Sequence, residues 1–468
     1  MGHRVFPYNP SRRRVSRCPL CACVLLAIFA SACGSDSDAG GPSATEQPPP
    51  STAAPTPPGK GDSPESFGYA LEGPRAWYLI GNPLTPGQDT FDVAVSTPED
   101  VWYVDLWLDG DYAARLDYDG SRFIGSVGIE GLAPGEHKAL FAADGSETAF
   151  AELSFQRSHP LYVFVSNDWD DSDNPDATLR RQEQLHELHP ELKLTHFVGP
   201  YTFTDSAVPA SRADYLAGWV KGLRDQFGDE IGLHIHPYCN FVDTTSVTCR
   251  TEPSFAESQG DATGYTVVVG SYTRDEFGTL LRAADEIFDA HGLGKPTGFR
   301  AGGWTSEIHT LEALAENGFV ADASGANWRR MEEWKDVAGT TLYAWNQEHW
   351  ITIDDTSQPY YPSLSDILES APPPNVPVLE VPDNGLLVDY VRTDEMIDIF
   401  TANWPGGALD SPRVYSIGYH PPNFSESFKS RIDGALNHVD AFLASDDRGP
   451  VVYATLSDLA QVWPPPQL

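Results

Sequence analysis

The feature that most constrains the fold is a series of short apolar segments that alternate with helix-like segments after residue 158. The first apolar segment, "LYVFVSND", is apolar over its first five residues. A strand with one face in water alternates apolar and polar residues, so this run predicts a strand buried on both faces. The helix-like "DATLRRQEQLHELHPE" separates it from a second strand, "LKLTHFVG". Strands that alternate with helices predict a parallel α/β architecture.

The same alternation continues towards the C terminus, so we expect residues 158–468 to form one α/β domain. The helical pattern "SRADYLAGWVKGLRDQFG" precedes a third strand, "EIGLHIH". The amphipathic segment after it begins with a capping box, Thr273 to Glu276, and ends at Gly292. Later strands are predicted at "TGFRAGG", "FVADAS" and "RVYSIGYHPP".

Residues 68–157 follow a different pattern. Segments such as "TFDVAVST", "VWYVDLWLDG" and "RFIGSVGI" alternate large apolar residues with polar or small ones, and Gly, Pro and Asp separate them. Short strands at this spacing predict an antiparallel sandwich. The stretch "GLAPGEHKALFAADG" resembles the late strands of immunoglobulin-like modules in bacterial surface proteins. We therefore expect an immunoglobulin-like β-sandwich that serves as a spacer or docking module.

Residues 1–32 have the pattern of an export signal, because the basic "RRRVSR" precedes the short apolar run "CACVLLAIFASA". The "ASAC" that ends at Cys33 resembles the bacterial lipoprotein signal, in which this cysteine is lipidated. An ordinary secretion signal with an incidental cysteine is the alternative. Residues 33–67 are rich in Pro, Gly, Ser and Thr and predict a disordered tether. We expect an exported protein that is held at the bacterial cell envelope, on the outer membrane or cell surface, by a lipid anchor alone.

Charge and cysteine content limit the partners and the compartment. The formal net charge is −37, and it becomes −42 without the five arginines of residues 1–32. Such acidity excludes nucleic acid as a partner, since phosphates would be repelled. Apart from the signal and Cys33, the chain has only two cysteines, Cys239 and Cys249. In an oxidising compartment we expect them to form a disulfide, with two free thiols as the alternative.

Polar residues gather at the ends of the predicted α/β strands, which is where parallel barrels carry their reactive groups. They are Asp168 and Asp170, His234 and His236, Arg300, Asp322 with Ser324, and His420. Each has a structural alternative when taken alone: an aspartate can cap a helix, an arginine can pair on the surface, and a histidine can precede a Pro-Pro turn. Their shared placement favours a functional site.

The spacing within the first two pairs has a physical meaning. Residues two apart on a strand point to the same face, so two imidazoles can meet there with a carboxylate. That ligand set suits Zn²⁺ or a similar divalent ion and leaves positions open for water and substrate. A second carboxylate can accept the proton of an activated water, and a histidine opposite can protonate a departing amine or alcohol. The residues therefore predict hydrolysis of an amide or ester without a covalent intermediate.

The order of these motifs over residues 161–463 resembles the polysaccharide deacetylases of the NodB-homology type, carbohydrate esterase family 4. The motifs that carry the resemblance are "VFVSNDWDD", "GDEIGLHIHP", "GFRAGGW", "DAS" and "IGYHP". The resemblance implies a distorted, incomplete (β/α) barrel. It also implies a metal-dependent hydrolase that removes N-acetyl, or O-acetyl, groups from a cell-envelope or extracellular polysaccharide, with metal-activated water attacking the acetyl carbonyl.

The resemblance also implies roles for individual residues. Asp168 is the expected general base and His420 the general acid; Arg300 orients Asp168, and Asp322 holds His420. The expected metal ligands, with Zn²⁺ favoured, are Asp170, His234 and His236. Trp169 separates two aspartates that are adjacent in the family, so Asp171 is an alternative to Asp170. Tyr238 stands where the family places its second histidine, so His236 is assigned by its position on the same face as His234.

Three aromatic residues are candidates for contact with a sugar, since aromatic faces stack on pyranose rings: Trp304, Tyr238 and Tyr360. Packing in a loop or in the core is the alternative for such side chains. The competing functional class is a catalytically inactive surface lipoprotein that binds glycan or envelope partners through the same barrel.

Overall fold

Strands and helices alternate from residue 161 onward, as the sequence predicts. The computed structural model describes residues 59–60, 68–98, 100–256, 262–337 and 340–465. All of them belong to one compact unit, Pro55–Leu468. The expected signal peptide, the expected lipidation site at Cys33 and most of the expected tether lie outside the described residues.

The elements are numbered in chain order. The strands before residue 160 are β1 Gly59–Lys60, β2 Ala70–Glu72, β3 Trp77–Leu79, β4 Thr90–Ser96, β5 Val104–Leu108, β6 Asp111–Arg115, β7 Asp117–Tyr118, β8 Phe123–Gly128, β9 Gly135–Ala143, β10 Thr148–Ala149 and β11 Ala151–Ser158. The later strands are β12 Leu161–Asp168, β13 Leu194–Val198, β14 Glu230–Ile235, β15 Gly298–Ala301, β16 Ala321–Asp322, β17 Leu379–Glu380, β18 Arg413–Tyr419 and β19 Val451–Tyr453. The α-helices are α1 Asp176–Leu188, α2 Tyr201–Thr204, α3 Ala210–Phe227, α4 Cys239–Val242, α5 Arg274–Ala290, α6 Ile308–Glu316, α7 Leu342–His349, α8 Thr393–Asn403, α9 Glu426–Asp440 and α10 Leu456–Val462.

Nine of the eleven described N-terminal strands form two sheets that share an apolar core. One sheet has the order β2-β4-β8-β7 and the other β3-β11-β9-β5-β6. In β4, the buried Phe91, Val93 and Val95 alternate with more exposed residues, so the strand presents one apolar face. Phe91 meets Phe155 of the other sheet at 5.2 Å between ring centroids. Two layered sheets are therefore present, while an immunoglobulin-like topology stays a prediction.

The short strand β1 lies within the segment that the sequence predicts to be a disordered tether. It pairs in parallel with β10.

The C-terminal strands form one parallel sheet with the order β17-β16-β15-β14-β13-β12-β18, and β19 pairs with β12. Every residue of β12 is buried, as its continuous apolar run predicts. Helices follow most of the strands, so the prediction of a parallel α/β architecture is confirmed. Within the described ranges the path of the sheet is open between β17 and β18, which agrees with an incomplete barrel.

Local signals set the helix ends. The predicted capping box of α5 is present, with Thr273 bonding the backbone of Glu276 and Glu276 bonding back. Helix α3 ends at Gly228, whose φ of 77° is one that glycine adopts without steric cost. Among the described helices, none has the length and apolarity needed to cross a bilayer.

The two-sheet region is joined to the N-terminal edge of the parallel sheet. Only two residues separate β11 from β12, so the chain passes directly from one region into the other. Tyr162 of β12 hydrogen bonds to Asn82 and Thr85. A guanidinium N–H of Arg75 donates to the carbonyl of Ala444 at 2.7 Å. These polar contacts fix one region against the other.

The predicted disulfide is confirmed. Cys239 and Cys249 are bonded, with 5.3 Å between their Cα atoms. The bridge closes the loop that follows β14, immediately after His236. It therefore lies beside the strand end that carries the two predicted metal ligands.

Candidate metal centre

The carboxyl ends of β12, β14 and β18 carry the predicted site residues to one cavity of about 300 Å³. Parallel strands point their carboxyl ends to the same edge, so residues distant in sequence meet there. The predicted acidic and histidine site residues that line this cavity are Asp168, Asp170, His234, His236 and His420. Five of the residues that the sequence singles out are thus brought together.

Asp170, His234 and His236 form a possible metal-binding group, with all their candidate ligand atoms within 4.8 Å of one another. One carboxylate oxygen, Oδ1 of Asp170, lies 3.2 Å from Nε2 of His234 and 3.4 Å from Nε2 of His236. Asp171 belongs to no such group within the described ranges, and its side chain is exposed. Between the two aspartates that the sequence offers, the geometry therefore favours Asp170.

The hydrogen bonds behind the two imidazoles support a divalent cation. The Nδ1 atom of His234 faces the carbonyl of Arg300 and that of His236 faces the carbonyl of Tyr265, each at 2.8 Å. A carbonyl accepts but cannot donate, so each Nδ1 carries a proton, and each Nε2 is the atom that can bind a metal. The two Nε2 atoms and the carboxylate oxygen face one another at distances that one cation can bridge. These residues therefore fit a divalent metal.

Asp168 and Arg300 form the buried ion pair that the sequence predicts. Nη1 of Arg300 donates to Oδ1 of Asp168 at 3.0 Å, and its Nε donates to the carbonyl of Ala323 at 2.9 Å. Nη2 lies 3.2 Å from a second carboxylate, that of Asp383. Because Arg300 is fully buried between fixed partners, it holds Asp168 in one orientation.

The partner of His420 differs from the expected one. Nδ1 of His420 lies 3.0 Å from Oδ2 of Asp389, in the segment after β17. The expected partner, Asp322, instead accepts a hydrogen bond from Ser324 at 2.7 Å and faces Glu380. Asp322 is fully buried and does not line the cavity. Its expected role is therefore wrong, and Asp389 takes that place.

Electrostatics at the cavity favour an ionised Asp170 and a charged His420. Burial alone would raise the pKa of Asp170, but the positive charge of His420 and the neighbouring imidazoles of His236 and His234 hold it well below its usual value. Burial would lower the pKa of His420, but Asp170 and Asp389 raise it to about 10. The two groups stabilise each other's charge.

Asp322 and Glu380 form a second buried acidic pair behind Arg300. Burial raises the pKa of Asp322 to about 6, and burial together with the charge of Asp322 raises the pKa of Glu380 well above its usual value. Asp322 Oδ2 and Glu380 Oε2 have no donor partner, although both are buried. One proton shared between the two carboxyl groups satisfies both oxygens.

This pair predicts a pH dependence of stability. In the unfolded chain Asp322 loses its proton near pH 4, but in the folded protein it keeps it until about pH 6. The stabilisation is therefore complete at low pH and is lost as pH rises through that window. We expect Asp322→Asn to abolish about 2 kcal/mol of this pH-dependent stability, because it removes the group whose pKa burial raises. Urea unfolding of both proteins at pH 4.5 and pH 7 measures the difference, and parallel pH profiles would contradict the raised pKa of Asp322.

The three aromatic candidates have different surroundings. Trp304 lines the cavity, although it is only 3% exposed, and its indole N–H donates to Asp383 at 3.2 Å. Tyr238 donates to the backbone carbonyl of Asp170 at 3.3 Å and does not line the cavity. Tyr360 is away from the cavity, and its hydroxyl donates to the carbonyl of Ile367. Tyr238 and Tyr360 are therefore not part of this cavity wall, and their contact with a sugar stays a prediction.

Three residues of the site are absent from the sequence-based set: Tyr265, Asp383 and Asp389. Two of them lie in "EVPDNGLLVDY", just past β17, so an acidic pair after a buried strand was the available signal. Tyr265 lies in a turn after the disulfide loop, and no periodicity or motif marks it. Its hydroxyl donates to Oδ2 of Asp170 at 3.1 Å.

Comparison with known proteins gives structural matches alone. No protein-family model and no curated protein matches the chain. A candidate polysaccharide deacetylase from Mycobacterium smegmatis matches with 16% identity and a TM-score of 0.39, covering 66% of this chain and 93% of that one. A family 4 carbohydrate esterase from Streptomyces lividans, in complex with acetate, matches with 11% identity and a TM-score of 0.31, covering 64% and 94%.

Peptidoglycan deacetylase PdaC from Bacillus subtilis is a third match, with 13% identity, a TM-score of 0.31 and coverage of 65% of this chain and 92% of that one. The names of these three solved structures agree with the family that the sequence motifs resemble. At such TM-scores, the chemistry of this chain has to be inferred from its own side chains. About two thirds of the chain is thus similar to solved structures named as a polysaccharide deacetylase, a family 4 carbohydrate esterase and a peptidoglycan deacetylase.

Proposed function

We propose that the protein is a metal-dependent hydrolase that removes acetyl groups from a polysaccharide. One observation carries the proposal: a possible metal triad, an arginine-held carboxylate and a carboxylate-held histidine all face one cavity. Hydrolysis of an amide needs electrophilic activation, a proton acceptor and a proton donor, and these three groups supply them.

A divalent metal held by Asp170, His234 and His236 would supply Lewis acidity to the acyl oxygen and to water. Asp168 accepts a proton from the attacking water as its oxygen bonds to the acyl carbon. His420 gives a proton to the departing nitrogen as the C–N bond breaks, which yields acetate and an amine. Asp389 and Arg300 hold the donor and the acceptor in place.

Aromatic residues in the wall of the cavity support a sugar as substrate. Trp304, Trp334 and Tyr390 are among the residues that line it. Their rings are in contact, with Tyr390 at 5.8 Å from Trp304 and 5.2 Å from Trp334 between centroids. Aromatic faces of this kind suit the apolar face of a pyranose ring. We propose an N-acetylated cell-envelope or extracellular glycan as substrate, with an O-acetylated glycan as the second candidate because ester hydrolysis uses the same groups.

The test is release of acetate by the full chain loaded with Zn²⁺. Chitooligosaccharides and peptidoglycan provide N-acetyl groups, and acetylated xylan provides O-acetyl groups. We expect acetate from at least one N-acetylated substrate. Binding of these glycans without any acetate release, by protein that contains one Zn²⁺ per chain, would instead support the catalytically inactive binding protein.

Asp389 provides a sharper prediction within this function. Asp389→Asn should lower kcat about 100-fold with little change in KM, because His420 loses the carboxylate that orients it as proton donor. Asp322→Asn is the matched comparison, since the sequence predicts this residue for the same task and it does not contact His420. Steady-state kinetics of both variants decide between them: an unchanged kcat for Asp389→Asn, with a large loss for Asp322→Asn, would overturn the assignment.

We also propose that the protein is an exported lipoprotein, with Cys33 as the lipid site, residues 34–67 as the tether and residues 68–157 as an immunoglobulin-like module. The support is the order of basic, apolar and small residues before Cys33. Expression of the wild type and Cys33→Ser in a bacterial host tests the anchor. We expect the wild type in the membrane fraction and the variant in the soluble fraction, and equal distribution would contradict a lipid anchor.

A further inference from the structure

Tyr265 contacts two of the three candidate metal ligands. Its hydroxyl donates to Oδ2 of Asp170 at 3.1 Å, and its backbone carbonyl accepts from Nδ1 of His236 at 2.8 Å. Its ring also stacks on the imidazole of His236, with 4.2 Å between centroids and 27° between planes. One residue therefore fixes the orientation of both ligands.

The two oxygens of Asp170 have separate partners. Oδ1 faces the Nε2 atoms of His234 and His236, whereas Oδ2 accepts the hydrogen bond from Tyr265. Nε2 of His420 is the other neighbour of Oδ2, at 3.5 Å. Tyr265 makes the shorter of these two contacts, and it is the only one of the two residues that the proposed function does not use as a proton donor. With Oδ2 held, Asp170 offers a metal one oxygen instead of two.

The disulfide holds the turn that carries Tyr265. The backbone N–H of Cys239 donates to the carbonyl of Thr263 at 2.6 Å. Gly264 has a φ of +82°, and a Cβ there would lie 2.4 Å from the carbonyl oxygen of Pro237 and 3.2 Å from Sγ of Cys249. The turn thus packs directly on the bridge, with no room for a side chain at Gly264.

We propose that Tyr265 is a positioning residue of the metal centre, and that the Cys239–Cys249 bridge keeps it in place. The proposal rests on the metal site of the proposed function and deepens it. The hydroxyl of Tyr265 restricts Asp170 to one coordinating oxygen, and its carbonyl sets the ring orientation of His236. The disulfide loop is therefore part of the metal centre, although neither cysteine touches the cavity.

Metal affinity tests this role without any substrate. Tyr265→Phe keeps the ring and the backbone carbonyl and removes only the hydroxyl. In competition with a chromophoric chelator, we expect the full-length variant to bind Zn²⁺ about 10-fold more weakly than the wild type, as is usual when a partner of a metal ligand is lost. With Co²⁺ in place of Zn²⁺, the visible absorption bands should shift, because Asp170 is then free to bind through both oxygens.

Tyr360→Phe is the matched control. It also removes a buried tyrosine hydroxyl that donates to a carbonyl, but away from the cavity. Its Zn²⁺ affinity and Co²⁺ spectrum should equal those of the wild type. Unchanged affinity together with an unchanged Co²⁺ spectrum in Tyr265→Phe would overturn the positioning role.

A double-mutant cycle tests the link to the disulfide. Replacing both cysteines by serine should also weaken Zn²⁺ binding, and less strongly when Tyr265→Phe is already present, because both changes act through one hydrogen bond. Fully additive losses would overturn the link. Metal binding that depends on His234 but not on Tyr265 refutes this inference and leaves the proposed hydrolase standing. Metal binding that depends on Tyr265, without acetate release from any glycan, refutes the hydrolase alone.

Discussion

His234→Ala should eliminate both bound metal and acetate release. His234 is the candidate ligand with the least freedom, since it lies inside β14 and its Nδ1 donates to the carbonyl of the neighbouring strand at Arg300. Its loss leaves one imidazole and one carboxylate, which hold a divalent ion poorly. A metal contributes several kcal/mol to stabilisation of an acyl-transfer transition state, so we expect kcat to fall by about 10³-fold or more.

Metal content per chain and acetate release measure the two effects together. His291→Ala is the control, because this histidine stacks on Phe203 outside the candidate metal group. The control should keep one Zn²⁺ per chain and full activity. A His234→Ala protein that retains stoichiometric Zn²⁺ would place the metal elsewhere and refute the triad.

Asp168→Asn should abolish most of the activity while leaving the metal in place. The amide has nearly the size of the carboxylate and can still accept a hydrogen bond from Arg300, but it cannot accept a proton from water. General-base catalysis is commonly worth 10²- to 10⁴-fold, so we expect kcat to fall about 10³-fold. Zn²⁺ affinity should change little, because Asp168 is not among the candidate ligands.

Asp171→Asn is the matched control for this change. It removes a carboxylate from the same stretch of chain. Asp171 does not line the cavity and is not one of the three candidate metal ligands. The control should keep its activity and its metal. Wild-type activity in Asp168→Asn would require another proton acceptor and would contradict the role of this carboxylate.

Much of the catalytic edge could be predicted because its residues follow from strand geometry. The run "LYVFVSND" fixed a buried parallel strand, and the two-residue spacing of His234 and His236 placed both rings on one face. The presence of glycine at position 302 also has a local explanation, because a Cβ there would lie 2.5 Å from Nδ1 of His236. These features depend on one strand and its neighbour, and sequence patterns report such short-range relations well.

The partners of the catalytic groups could not be predicted in the same way. Asp389 reaches His420 from a loop after β17, and which loop carboxylate points inward depends on packing across the sheet. Asp322 was the wrong choice because its strand position suited the role while its side chain turns to Glu380. Tyr265 depends on a disulfide and on a turn at Gly264, neither of which has a periodic signal. The positions of Tyr238 and Tyr360 outside the cavity wall could not be predicted either, because a sequence does not show whether a ring faces a cavity or packs elsewhere.

The junction between β11 and β12 places the two-sheet region and the cavity at opposite ends of β12. At the usual rise per residue, the eight residues of β12 carry the chain about 25 Å from that junction to Asp168. The two-sheet region is attached at one end of this strand, and the cavity lies at the other. A surface bound to the two-sheet region would therefore lie at the end of β12 away from the cavity, and would leave the cavity accessible from the opposite side.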